Sequence, residues 1–102
     1  MFESPALSAP ISAYPVETRG QTAGDILRAI RRRRKLSLRE VTEATRAIAQ
    51  RLGHQEFAIS AGRLSQVENI GVVPNIYRLY SLSVVYGIDL RELLAWFGIP
   101  HK

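Results

Sequence analysis

Apolar residues recur at helical spacing in five successive stretches of this chain. Within each set, residues recur at intervals of three, four and seven positions, which places them on one face of a helix. No stretch alternates apolar and polar residues in the way that predicts a strand. We therefore expect an all-α fold, a five-helix bundle over residues 22–99. The predicted inward positions are Ala23, Ile26, Leu27, Ile30, Leu38, Val41, Thr45, Ile48, Ala49, Leu52, Leu64, Val67, Ile76, Leu79, Leu82, Ser83, Tyr86, Leu90, Leu93, Leu94 and Phe97.

A capping residue precedes each of the five apolar sets. The side chains of Thr22, Ser37, Ser60, Asn75 and Asp89 can each accept a hydrogen bond from a backbone N–H of the first helical turn. Three of these caps are followed three residues later by a carboxylate, which is the spacing of a capping box. Glycine follows the second, fourth and fifth sets, and we expect it to end those helices.

The first 21 residues have a different composition from the rest of the chain. They are rich in Ser, Ala and Pro, with Pro5, Pro10 and Pro15 at regular intervals. Proline removes backbone donors and blocks helix propagation, so residues 1–21 are expected to form an extended or disordered arm. Such an arm can also dock on the domain or reach a DNA groove, although Arg19 is its only basic residue. Its role stays open.

The charge balance suggests a polyanionic partner. The chain of 102 residues, long enough for one domain, carries 14 basic and 9 acidic residues, a formal net charge of +5. Basic proteins of this size often bind nucleic acid, and double-stranded DNA is the partner we weigh first. A basic protein without such a partner is the alternative.

Several other classes of function find no support in the sequence. There is no cysteine, and His54 and His101 are too far apart to suggest a metal site, so we expect no metal and no cofactor. No nucleophile–base arrangement, glycine-rich phosphate loop or paired carboxylate indicates an enzyme. No apolar run approaches the ~20 residues that span a bilayer. No Lys or Arg precedes Arg19, which argues against a signal peptide, and we expect a cytoplasmic protein without membrane contact.

The predicted third helix, residues 60–69, has an outward face unlike that of a solvated helix. Small residues and amides occupy it, and Arg63 is its only formal charge. Exposed helices usually carry mixed Glu and Lys there, whereas small residues and amides let a helix lie close to base edges and hydrogen-bond them. The outward residues are Gly62, Arg63, Ser65, Gln66 and Asn69.

Three segments in register resemble the Cro/C1-type (XRE-like) helix-turn-helix family of bacterial and phage DNA-binding proteins. They are LRAIRRRRKLSLREV at 27–41, ISAGRLSQVEN at 59–69 and PNIYRLYSLSVVYGIDLRELL at 74–94. The resemblance implies a lambda-repressor-like bundle whose third helix lies in the major groove. It therefore implies a sequence-specific transcriptional regulator.

The resemblance also implies where this chain would contact DNA. Ser60, Ala61, Gly62, Arg63, Ser65 and Gln66 fall on the family's groove-facing positions. Gln pairs well with adenine and Arg with guanine, so Gln66 and Arg63 are the principal candidates for base reading. Gln66 can also be an idle surface amide, and Arg63 can bind phosphate instead. The candidates for phosphate contact are Arg28, Arg32, Arg33, Arg34, Lys35, Arg39, Ser60 and Asn69.

Arg31 and Glu68 occupy positions that the family pairs, an arginine of the first helix with a glutamate ending the recognition helix. Such a pair would hold the recognition helix at a fixed angle. We predict a partly buried ion pair; the alternative is that both groups face solvent, where a pair contributes ~0–1 kcal/mol.

Two features depart from the family pattern. The segment between the second and third helices is roughly a dozen residues longer than the usual short turn. Residues 54–57 are expected to form a loop in it, and residues 46–58 could offer a surface to a protein partner. Leu38 stands where the family often has a phosphate-binding glutamine, so that contact is missing.

Two questions about partners stay open. The main alternative to DNA binding is a protein-interaction module, or an antitoxin-like adaptor, built on the same fold. Helix-turn-helix proteins commonly bind as dimers, and Trp96, Phe97 and Ile99 are apolar enough for a homodimer contact. Equally, Trp96 can cover the small core.

Overall fold

The computed structural model describes residues 22–99, and the arm predicted for residues 1–21 lies outside them. Within that range the chain is all-helical, without a strand, which confirms the predicted five-helix bundle. A short 3-10 helix, Gln55–Phe57, lies where a loop was expected. The α-helices are α1 Ala23–Arg33, α2 Leu38–Leu52, α3 Ala61–Ile70, α4 Ile76–Tyr86 and α5 Leu90–Trp96.

The helices begin at the predicted capping residues. Thr22 and Asp25 form a reciprocal capping box, with hydrogen bonds of 3.3 and 3.1 Å. Ser37 and Glu40 form a second one, with bonds of 2.8 and 3.0 Å. At α5 the Asp89 carboxylate instead accepts a hydrogen bond from the backbone N–H two residues later. Side-chain acceptors therefore satisfy N–H groups that the first turns leave free.

All five helices contribute to one core. Its fully buried members come from every helix and from the segment that precedes α3. Two predicted inward residues are wrong: Leu52 is 49% exposed and Ile76 is 53% exposed. Leu52 is the last residue of α2 and Ile76 is the first residue of α4, so both lie at helix ends, beyond the turns that pack on the core. The core residues are Leu27, Val41, Ile59, Leu64, Val67, Leu79, Leu82, Tyr86 and Leu93.

The long connection between α2 and α3 is fixed to the bundle. Thr45 on α2 accepts a hydrogen bond from the backbone N–H of Ile59, at 3.1 Å. On the α4 side, Arg78 donates to the carbonyl of Ala58 at 2.8 Å, and Ser81 donates to that of Phe57 at 2.6 Å. The extra residues therefore lengthen α2 and then form a tethered segment, which fixes the point where α3 begins.

Helices α1 and α3 touch at a glycine. A Cβ atom at Gly24 would lie 2.8 Å from the carbonyl oxygen of Glu68 and closer still to that of Val67. Only glycine allows the first turn of α1 to approach the last turn of α3 so closely.

Among residues 22–99 no helix combines the length and the apolar character that crossing a bilayer requires.

Candidate nucleic-acid interface

Helix α3 has a buried face and an open one. Leu64, Val67 and Glu68 are buried, at 0–3% exposure. Gly62 and Gln66 are exposed, and a Cβ atom at Gly62 would meet nothing within 4 Å. Of the other predicted groove-facing residues, Arg63 and the cap Ser60 are exposed, whereas Ala61 and Ser65 are partly buried.

An ion pair between Arg31 and Glu68 joins α1 to α3. The Arg31 guanidinium donates two hydrogen bonds to the Glu68 carboxylate, of 2.7 and 2.9 Å. The side chains are 12% and 2% exposed, so the pair is shielded from water. A third bond, of 2.9 Å, runs from Arg31 to the carbonyl of Leu36 in the turn before α2. One side chain thus fixes α3 relative to both preceding helices.

Arg28 and Asn69 bind each other, although both were predicted to contact phosphate. The Arg28 guanidinium donates to the carbonyl of Glu68 at 2.9 Å and to the side-chain oxygen of Asn69. Asn69 in turn donates to the Ser65 hydroxyl at 3.0 Å. These contacts hold the C-terminal turn of α3 against α1. They leave Arg28 only 24% exposed at its side chain, so it is less accessible than the exposed arginines of the 31–35 run.

The remaining basic residues of the 31–35 run are exposed at the end of α1. Arg34 reaches the end of α4, where a Cβ atom at Gly87 would lie 3.5 Å from its guanidinium. A cation is favoured there by the partial negative charge of a helix C-terminus. Lys35 has a left-handed backbone, with φ of 59°. The exposed candidates for phosphate contact are Arg32, Arg33, Arg34, Lys35 and Arg39.

A basic groove beside the start of α3 was not predicted. Arg46, Arg63 and Arg78 line it together with Ser60, and its volume is about 350 Å³. Glu56 is the acidic residue in the lining. Arg46 lies on α2 and is not one of the predicted inward residues of that helix. Its position in the sequence did not indicate that it would lie beside residues of α3 and α4. Three arginines near one helix N-terminus form a locally positive surface.

Tyr86 is the other buried polar group close to the ion pair. It is fully buried, and its hydroxyl has no hydrogen-bond partner among the described residues. Burial, together with the negative charge of Glu68, raises the pKa of Tyr86 well above its ordinary value. The hydrogen bond to Glu68 raises the pKa of Arg31 in turn, so this guanidinium stays charged.

The apolar residues at the end of α5 pack inward. Trp96, Phe97 and Ile99 are partly buried against the core. Part of the apolar surface predicted for a dimer contact is therefore used by the core. Within residues 22–99, no group of His, Asp or Glu side chains could hold a metal ion.

Comparisons of the chain with models of known protein families, with curated proteins and with solved structures found no match in any of the three.

Proposed function

We propose that the protein is a sequence-specific DNA-binding transcriptional regulator that inserts α3 into the major groove. The observation that carries the proposal is the contrast between the two sides of α3. Its inner side is locked to α1 through Glu68, while Gly62 and Gln66 on its outer side are open to solvent. A rigid helix with an exposed, nearly uncharged face suits contact with base edges.

Base reading is assigned chiefly to Gln66 and Arg63. Both are exposed, and each can make a bidentate contact, Gln with adenine and Arg with guanine. The open space around Gly62 lets the helix backbone approach the bases closely. Ser65 already accepts a hydrogen bond from Asn69, so it has a smaller part in the proposal.

Phosphate binding is assigned to exposed arginines and lysine on two elements. Arg32 and Arg33 are the last two residues of α1, Lys35 lies in the turn that follows, and Arg39 lies in the first turn of α2. Each of these side chains that neutralises a phosphate adds about −0.9 to the slope of log affinity against log salt concentration.

A regulator of this kind in a bacterial cell would act in the cytoplasm.

One observation favours the second candidate, a protein-interaction module. Several large apolar side chains on and near α4 are exposed, among them Val73, Ile76, Tyr77, Tyr80 and Val84. Clusters of this kind often mark protein interfaces. The two functions do not exclude each other, because none of these residues belongs to the exposed face of α3.

Selection of binding sites from random DNA by the purified full chain tests the proposal. We expect an enriched motif, and an affinity for it that falls steeply with salt. Gln66→Ala should reduce discrimination at one base pair by ~1–3 kcal/mol and leave the salt slope unchanged. Gln50→Ala, which removes an exposed amide from α2, is the matched control and should change neither. Failure to enrich any motif would refute DNA reading and favour the interaction module.

A further inference from the structure

Helix α4 has an exposed apolar face that the core does not use. Ile76, Tyr77, Tyr80 and Val84 are 40–53% exposed and follow one another at helical spacing. Val73, 52% exposed, lies just before the helix. These five residues are called the α4 face below. None of them belongs to the candidate DNA interface.

The 3-10 helix supports the tyrosines of the α4 face. Phe57 packs edge-on against Tyr77 and Tyr80, with ring centroids 5.2 and 5.7 Å apart. His54 stacks on Tyr77 at 4.7 Å. The rings therefore lie in fixed positions, and a partner would bind them with little loss of side-chain freedom. Ordered tyrosines that are half exposed are typical of interface residues.

The α4 face carries no charge. Arg78 is the only ionisable residue with a formal charge at neutral pH between positions 73 and 84, and its guanidinium bonds to the carbonyl of Ala58. Two copies of a chain with net charge +5 repel each other over most of their surfaces. An uncharged apolar face is the place where a second copy meets the least repulsion. A strongly acidic partner, by contrast, would find no cation to pair with on this face.

The area of the α4 face suits a small interface between two copies. Five side chains that are about half exposed present roughly 500 Å² per copy, at about 200 Å² for a large side chain. Two copies would then bury about 1,000 Å², which is below the ~1,200–2,000 Å² of stable specific interfaces and suits a weak, concentration-dependent association. We propose that two copies of this protein associate through their α4 faces, with the 3-10 helices supporting the contact.

Two-fold symmetry predicts how the residues would meet. Consider two α4 helices that pack antiparallel, with the two-fold axis passing near Tyr80. Residues on such an axis contact the same residue of the second copy, so the two Tyr80 rings face each other. Ile76 of each copy then lies opposite Val84 of the second copy, because both stand four positions from Tyr80. The association uses neither α5 nor the exposed face of α3, so both DNA-reading helices stay free.

Sedimentation equilibrium of the full chain without DNA tests this association. We expect a concentration-dependent dimer in the wild type. Val84→Glu would bury a charge in the interface, so it should raise the dissociation constant by at least about tenfold. Ile70→Glu is the control: Ile70 is 72% exposed at the end of α3, outside the α4 face, and its variant should dimerise like the wild type. Circular dichroism checks that both variants fold, which their exposed positions favour.

Two results would overturn the inference. The first is a wild-type chain that stays monomeric at all concentrations, which would assign the α4 face to residues 1–21 or to another protein. The second is a dimer that Ile70→Glu disrupts and Val84→Glu does not. Because no DNA is present, these outcomes are independent of the proposed function: a monomer can still select a DNA motif, and a dimer can fail to do so.

Discussion

Arg31 on α1 binds both carboxylate oxygens of Glu68 on α3, and its guanidinium also donates to the carbonyl that precedes α2. This contact joins three helices through one side chain. The Glu68 carboxylate is 2% exposed and depends on arginine for its charge partner. We expect Arg31→Met to destabilise the fold by about 3–5 kcal/mol, because the buried carboxylate loses two hydrogen bonds and its nearest charge partner. Urea unfolding followed by circular dichroism measures the loss.

A double-mutant cycle isolates this pair from the rest of the site. Arg31→Met combined with Glu68→Met removes both charges, so the double variant should regain most of the stability that Arg31→Met loses. Arg28 lies 3.6 Å from the same carboxylate and can replace part of the interaction. The loss in Arg31→Met is therefore expected near the lower end of its range. Additive effects of the two substitutions would contradict a coupled pair.

Gly24 and Gly62 make a matched pair of substitutions. Alanine should be unfavourable at Gly24, where a Cβ atom would press on backbone carbonyls of α3, and we expect a loss of about 1–3 kcal/mol. At Gly62 nothing lies within 4 Å, so alanine should instead raise stability by up to about 1 kcal/mol through helix propensity. Thermal unfolding of the two variants checks the contrast. Equal effects at both positions would contradict the close approach of α1 to α3.

Glycine at position 35 should stabilise the fold. Lys35 has a left-handed backbone, which costs a residue with a Cβ about 1 kcal/mol or more. We expect Lys35→Gly to raise the free energy of unfolding by about 0.5–1 kcal/mol, after the greater freedom of glycine in the unfolded chain is allowed for. Arg32→Gly, which removes one charge from an ordinary helical position, should lower stability by roughly 1 kcal/mol.

The same variant also reports on DNA binding. If Lys35 contacts a phosphate, Lys35→Gly should reduce the salt slope of DNA binding by about 0.9. A slope equal to that of the wild type, in a variant that is more stable, would remove Lys35 from the contact set and leave its structural prediction intact.

Local chemistry made the helices and their caps predictable from the sequence. The Ser37–Glu40 capping box involves residues three positions apart, and the spacing of Leu64 and Val67 fixes which side of α3 faces the core. The same spacing predicted that Gly62 would face outward. These features depend on neighbours within one or two helical turns.

Contacts between distant residues were beyond the sequence pattern. Arg28 and Asn69 are 41 positions apart, and no spacing indicated that they would bind each other. Ile59 is 1% exposed and belongs to the core, although it lies in a connection without helical periodicity. The Arg31–Glu68 pair was expected only through the family resemblance, because periodicity places both residues on helices without bringing those helices together.

Stability at alkaline pH should depend on Tyr86. An unfolded tyrosine has a pKa of about 10, and burial raises that of Tyr86 in the folded protein. The folded state therefore keeps the proton while the unfolded state loses it. The stabilisation from this group is complete below about pH 10 and is lost as the pH rises above it. Tyr86→Phe cannot ionise at this position, so it should lose less stability than the wild type between pH 8 and pH 11.

At neutral pH, the free energy of unfolding of Tyr86→Phe is compared with that of the wild type. The Tyr86 hydroxyl has no partner among the described residues, so its removal should leave stability unchanged or raise it by up to about 1 kcal/mol. Urea unfolding at neutral pH and at about pH 11 measures the stability of Tyr86→Phe relative to the wild type. Tyr77→Phe, which changes a half-exposed ring of α4, is the control, and it should lose stability at alkaline pH as the wild type does. A loss of more than about 1 kcal/mol in Tyr86→Phe at neutral pH would mean that the hydroxyl is hydrogen-bonded, through water or to Glu68. In that case the ion pair and the tyrosine form one buried network, and the cost of Arg31→Met should itself change in the Tyr86→Phe background.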